Sequence, residues 1–216
     1  MDPEVAFTEL SEAKKIIENI IGHKVKGHRA PAFSVTPNTA WAFDVISNCG
    51  FEYDSSIMPI RGIRYGWHNF PKDIIKVNTN KGNCLIEVPI STINYFNKEV
   101  PFSGGGYLRL FPFFFIEKAY KYNNKNRSNI LYIHPYELDY LRYPDYYFDA
   151  LNNVSFLKRI KMKSNWINRK NTYSKLEKLL ENNSFTTMNR IIEAAQINNN
   201  IKILKIDTSM GSFLNA

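Results

Sequence analysis

Several things are scarce in this chain, and each scarcity excludes a class. Two cysteines in 216 residues, Cys49 and Cys84, cannot build a disulfide scaffold or a four-cysteine zinc site. A single bridge between them stays open on sequence alone. The most apolar run, from Leu108 to Ile116, contains Arg109 and Pro112 and is far shorter than the roughly 20 residues of a membrane-spanning helix. The opening Met1-Asp2-Pro3-Glu4-Val5 has neither the basic nor the apolar region of a secretory signal, which favours a cytoplasmic location. Internal repeats are absent as well.

What is present is enough for a packed domain. Hydrophobic residues make up 44% and aromatics 14%, so the chain can bury a core and is not a disordered polymer. The length suits one large domain, or one domain with an appendage. Lys and Arg exceed Asp and Glu by 28 to 20, a net charge of +8. The excess collects in Lys158-Arg159-Ile160-Lys161-Met162-Lys163 and Arg169-Lys170, not along a continuous arm. No zinc-finger spacing, helicase loop or RNP-like aromatic motif accompanies it, so the reading is a solvated basic surface with no nucleic-acid partner. A basic face drawn to an anionic polymer or membrane surface lies between the two.

Hydrophobic spacing predicts a helix over 8–21, with Thr8 or Ser11 as cap and Gly22 as stop. A strand over 25–35 runs into a loop broken by Pro31 and Pro37. A second helix over 38–48 follows the cap pair Thr36-Pro37. Short strands are predicted at 51–54, 84–92 and 129–134, the last of them continuous enough to be buried on both faces of a parallel sheet. Helices at 113–122, 173–181 and 186–198 and a final strand at 201–206 complete the pattern. Strands alternating with helices give an α/β class with crossover connections. In such folds the chemistry sits on loops after the carboxyl ends of strands, and Arg29, Asp54 and His134 all take that place.

Bottom-up, each of these residues has a plain alternative. His134 after an apolar strand suits a proton donor near neutral pH, and equally a satisfied strand-end histidine. Arg29 suits a structural ion pair, Asp54 a turn closing on its own backbone, and Gly104-Gly105-Gly106 a tight loop.

Together the residues are more specific. Gly27-His28-Arg29-Ala30-Pro31-Ala32-Phe33-Ser34, Tyr53-Asp54-Ser55-Ser56, Glu87-Val88-Pro89, Ser103-Gly104-Gly105-Gly106-Tyr107 and His134-Pro135-Tyr136-Glu137 follow one another in order. The series resembles bacterial polysaccharide deacetylases, chitooligosaccharide-deacetylase-like domains, and within them the exopolysaccharide-associated subgroup with a C-terminal extension. Tyr136 stands where Trp is usual there. The resemblance implies an incomplete distorted (β/α) barrel over 1–140 and a mostly helical family extension over 141–216. It implies a hydrolase that cleaves the C–N bond of N-acetyl groups on an acetylated exopolysaccharide, using a divalent metal such as zinc held by one Asp and two His. His134 would be the general acid, Arg29 would orient the base, and Asp54 would pair with His134. Pro31, Phe33, Gly105 and Tyr107 would line the sugar groove.

The same resemblance marks what is missing. The family's Asp-Asp strand end and its Ser-His-x-x-x-His segment, which carry the base and the metal ligands, have no counterpart here. His23, His28 and His68 offer no such pair, and His23 and His28 read as surface or structural. Residues 1–22 match the helix that follows the second motif. The expectation is therefore a chain inactive alone, binding no catalytic metal, with Arg29, Asp54 and His134 around one cavity completed by a separately encoded N-terminal half. The alternative is a non-catalytic module of the same fold that binds glycan or a partner protein.

Overall fold

The structure, a computed structural model of the chain, describes residues 2–62, 65–139, 152, 154–164, 167–198 and 201–214. They form two compact units, Met1–Val100 with Thr187–Ala216, and Pro101–Thr186. The boundary expected at 140/141 and the aromatic stretch 143–147 lie outside the described residues.

The first unit opens with helix α1, Pro3–Ile21, which begins five residues earlier than the spacing predicts. The reason is its cap: the Asp2 carboxylate accepts from the Glu4 and Val5 amides at 2.8 and 3.4 Å, and Pro3 occupies the first turn. Thr8 is no cap; its hydroxyl donates back to the Glu4 carbonyl. Gly22 ends the helix at φ 73°, as its lack of a Cβ allows. Ser11 meets the Cys49 thiol at 3.2 Å, joining α1 to α2, Ala42–Asn48. Both cysteines are free.

The strand predicted over 25–35 shortens to β1, Gly27–His28. Pro31 cannot donate to a ladder, and 31–33 form a 3₁₀ turn instead. The second helix is likewise divided. Pro37–Thr39 is a 3₁₀ turn closed by Thr36 and Thr39, and only Ala42–Asn48 is α-helical.

Six strands make one sheet: β1, β2 (Tyr53–Asp54), β3 (Ile75–Thr79), β4 (Cys84–Glu87), β7 (Lys202–Asp207) and β8 (Ser212–Phe213). Their spatial order is β1-β2-β4-β3-β7-β8. β1, β2 and β4 run parallel, β3 is antiparallel to β4, β7 is parallel to β3, and β8 turns back on β7. The fold is therefore mixed α/β, as expected. The sheet is open between β1 and β8, and no closed barrel exists among the described residues. β3 was not predicted, although Ile75, Val77 and Thr79 alternate with Lys76 and Asn78 and the strand is buried on the odd positions. A separate two-stranded sheet joins β5, Thr92–Tyr95, to β6, Lys98–Pro101, through Phe96-Asn97 at φ 48° and 58°. Two positive φ values suit the twist of a hairpin turn. Glu99 braces it, accepting from Thr92 and Asn94 and pairing with Lys72.

The core lies between the sheet and α2. Phe43 and Ile46 pack with Ile75, Val77, Leu85 and Ile206. Phe43 is fully buried, with its ring 6.1 Å from Trp67 and 6.4 Å from Phe70. Helix α8, Met188–Ile197, capped by Thr187, leads back into β7.

The second unit is mostly helical: α3 (Gly105–Leu110), α4 (Phe113–Asn123), α5 (Pro135–Leu138), α6 (Phe156–Ser164) and α7 (Arg169–Asn182). The strand predicted over 129–134 reduces to a single parallel bridge from Tyr132 to Gly104. Gly104, at φ 146°, is needed there, since a Cβ would sit 2.1 Å from the Tyr132 carbonyl. The Lys175 ammonium caps α3 by donating to the Leu108, Arg109 and Phe111 carbonyls, and burial holds its pKa below the usual lysine range. Tyr120 shares a 2.5 Å hydrogen bond with Ser103, and burial raises its phenol to about 12. No helix among the described residues is long and apolar enough to cross a membrane.

Phe43→Ala is expected to cost about 3–5 kcal/mol of stability, because the hole it leaves is walled by rings of Trp67 and Phe70. Urea denaturation followed by tryptophan fluorescence measures this, and a loss under about 1 kcal/mol would contradict the packing described.

Candidate functional site

Parallel pairing at β1, β2 and β4 lines up residues that are far apart in sequence. Gly27 pairs with Tyr53 and Tyr53 with Ile86; one step on, His28 pairs with Asp54 and Asp54 with Glu87. Residues in register point to the same face. Glu87 is in register with buried Ile75, so His28, Asp54 and Glu87 form a polar row on the buried face, at the carboxyl ends of three strands.

Asp54 is fully buried and answered by three donors. His28 Nδ1 lies 2.7 Å from Oδ1, the Ser56 hydroxyl donates to Oδ1 at 2.8 Å, and the Ser56 amide donates to Oδ2 at 3.1 Å. These three hydrogen bonds answer the oxygens of a fully buried carboxyl group. Glu87 has less support. Its Oε1 accepts the Ile57 amide at 2.9 Å, while Oε2 is buried without a partner of good geometry. Burial first, then the charge and hydrogen-bonding side chain of Asp54, push Glu87 well above the usual carboxylate range; the Ile57 amide and the Arg29 charge offset this in part. Two adjacent buried carboxyls cannot both ionise cheaply, so Glu87 carries the proton.

Arg29 follows β1 and begins the next row. Its Nε donates to the Ser55 carbonyl at 2.8 Å and its Nη2 to the Ser55 hydroxyl at 2.7 Å; that hydroxyl donates to the Val88 carbonyl. The Ala30 amide donates to the Ser56 hydroxyl, closing a link between the loops after β1 and β2. Arg29 also lies over the Phe33 ring, 5.9 Å from its centroid, and Phe33 meets Tyr65 edge-on at 6.5 Å. Ala32 and Phe33 stand at φ 55° and 52°. Two successive non-glycine residues in the left-handed region cost roughly 1–2 kcal/mol each, strain that clusters at functional loops. Pro31 and Ala32 are exposed on this loop and Phe33 is half-buried.

The second unit carries the remaining candidates. His134 is half-exposed and precedes α5; the Glu137 carboxylate accepts its backbone amide at 3.1 Å and approaches its Nδ1 at 3.3 Å. Gly105 opens α3 at φ 54°, and a Cβ there would lie 3.0 Å from the Tyr132 hydroxyl. Its absence of a side chain thus serves the Tyr132 ring. Tyr107, also on α3, is half-buried, with its ring 5.9 Å from Phe111.

The structure thus brings Arg29, Pro31, Phe33 and Asp54 together in one unit and Gly105, Tyr107 and His134 in the other. Asp54 has His28 as its imidazole partner, and His134 has Glu137. His28, expected from the sequence to be surface or structural, and Glu87 join Asp54 only through strand register. The signal for both was their equal distance from strand ends, but that signal exists only once register is known. No group of three His, Cys, Asp or Glu residues suited to a metal occurs among the described residues. The row itself does not fit one: His28 and Asp54 are hydrogen-bonded to each other, and burial favours the neutral form of Glu87.

Glu87 gives a pH test with a definite sign. Its folded pKa is raised, so its contribution to stability is fully present below the unfolded value and is lost as pH rises toward the folded one. Glu87→Gln, a neutral mimic of the protonated acid, should be more stable than the parent at about pH 8, with the advantage shrinking toward about pH 5. Urea midpoints at the two pH values measure it; an advantage that grows on acidification would reverse the assignment. Compared with known families, residues 55–193 match the model of a domain of unknown function, DUF3473. No curated protein and no solved structure shows a match. Since the matched segment spans more than half of the 216 residues, the chain belongs to the DUF3473 family.

Proposed function

We propose that the chain is part of a carbohydrate deacetylase, a hydrolase that removes N-acetyl groups from an exopolysaccharide. It would supply the arginine and proton-donor side of the chemistry, while the metal-holding side comes from polypeptide outside these residues. The observation that supports this most is the strained loop Arg29–Phe33, which places a guanidinium tied to Ser55 beside an aromatic ring at the carboxyl ends of parallel strands. The incomplete deacetylase-type barrel belongs to the same proposal; the open sheet ending at β1 is compatible with further strands on that edge.

The roles follow from the chemistry of the side chains. Arg29, held rigidly through Nε and Nη2, is suited to orient a carboxylate base by charge-assisted hydrogen bonds. Phe33 offers a face to a pyranose ring. Asp54 supports this end of the sheet through His28 and Ser56. His134, half-exposed at the start of α5, protonates the leaving amine. In the complete site a divalent metal would activate water. Lowering its pKa from 15.7 to about 7 corresponds to roughly 12 kcal/mol. A general acid contributes about 10²–10⁴-fold, only roughly 3–5 kcal/mol, so the residues here cannot replace it.

The purified chain alone should release no acetate from N-acetylhexosamine oligomers, with or without zinc. Mixed with a polypeptide carrying the Asp-Asp and His-x-x-x-His segments, it should form a complex with metal-dependent turnover. In that complex His134→Ala should lower kcat about 10²–10⁴-fold. Metal-dependent turnover by the chain alone would overturn the division of labour. Glycan binding by the chain with no turnover in any complex would replace the enzyme by a glycan-binding module.

A further inference from the structure

We infer that helix α6 is a peripheral membrane-binding element: it lays Phe156 and Ile160 into the interface of an anionic lipid surface, and the positive charge of its segment draws it to the headgroups. The helix belongs to the Pro101–Thr186 unit, and binding there requires nothing of the deacetylase reading.

Charge is one half of the case. Residues 156–170 hold six Lys or Arg and no Asp or Glu, in a chain whose net charge is +8. Two of the six are engaged within the protein. Arg169 is buried, with its guanidinium 4.9 Å from the centroid of the Tyr136 ring, and half-buried Arg159 donates to the Asn152 carbonyl at 3.5 Å. Lys158, Lys163 and Lys170 are exposed, and the segment contains no carboxylate to answer them. Like charges gathered this closely repel one another, and a polyanionic surface relieves that repulsion.

Exposed apolar groups are the other half. Phe156 is 72% exposed and Ile160 51%. Residues four apart share one side of a helix, and Lys163 follows at the next turn, so a single stripe of α6 carries Phe156, Ile160 and Lys163. Ile167, in the turn before α7, adds another bare aliphatic side chain. A helix that is merely a solvated basic face has no use for large apolar groups on its outer stripe. A helix lying in the plane of a bilayer interface needs both: rings and branched side chains enter the boundary, while lysine stems run alongside them toward the headgroups. Nucleic acid or an acidic polysaccharide would account for the charge alone. Those polymers bind through their anionic groups and, for nucleic acid, through stacking, and the branched side chain of Ile160 offers neither a charge nor a stacking face. Two bare apolar groups on a nine-residue helix are too few to anchor the chain by themselves, so attachment takes both signals and is reversible.

Flotation of the purified full chain with vesicles tests this. One set contains phosphatidylcholine and phosphatidylserine in equal parts, the other phosphatidylcholine alone. Expected is binding to the mixed vesicles only, weakening as salt is raised. Each basic residue near such a surface is worth about fivefold in partitioning, so Lys158→Gln with Lys163→Gln should lower binding on the order of tenfold. Phe156→Ser with Ile160→Ser should abolish flotation and leave retention on immobilised heparin unchanged. All four side chains are exposed, so both variants should keep the parent's circular dichroism spectrum. Absence of binding to the mixed vesicles, equal binding to phosphatidylcholine alone, or undiminished flotation of the Phe156/Ile160 variant would each overturn the inference. Binding to heparin or duplex DNA without binding to lipid would make the segment a polyanion site instead.

Discussion

The Asp54 side chain has no exposure, and the carboxyl ends of β1, β2 and β4 are organised around its hydrogen bonds. A buried polar group is tolerable only when its atoms are hydrogen-bonded. His28, the Ser56 amide and the Ser56 hydroxyl answer them, and in doing so they connect the loops that leave two strands. Burial first, and then neighbouring Asp54, push Glu87 well above the usual carboxylate range. The Arg29 loop is assembled directly on this frame, through Ser55 and through the Ala30 amide on Ser56. The left-handed residues Ala32 and Phe33 persist there because their anchor is over-determined.

The Pro101–Thr186 unit solves a different problem, that of holding a half-exposed imidazole in one orientation. Among the described residues it uses no extended ladder. A single bridge at Tyr132, glycines that clear space for its ring, and aromatic stacking at Tyr136 replace one. Buried Glu137 accepts the His134 backbone amide, and Lys175 secures the end of α3 by filling three carbonyls.

Much of the helix pattern was legible, because helices depend on neighbours within a few residues. The stop at Gly22, the Thr36-Pro37 turn, α4, α7, α8 and β7 all follow from local spacing and caps. The start of α1 was misplaced because Asp2 outcompetes Thr8, a choice settled by two amides and not by the apolar pattern. β3 had the alternation of a strand, yet what gives it meaning is pairing with β4 on one side and β7 on the other, 127 positions away in the chain. The continuous apolar run at 129–134 looked like a central strand. In the structure its strand pairing is a single parallel bridge, from Tyr132 to Gly104.

Read alone, the chain of amino acids determined the α/β class and the positions of Arg29, Asp54 and His134 near element ends. These depend on residue type and local periodicity, which the backbone obeys wherever it goes. Tertiary structure alone decided that Asp54 is matched with His28 and Glu87, that His134 is matched with Glu137, and that the sheet stays open between β1 and β8. Register and burial decide such pairings. A shift of one residue along β2 would face Asp54 away from both partners, and no local pattern encodes that choice.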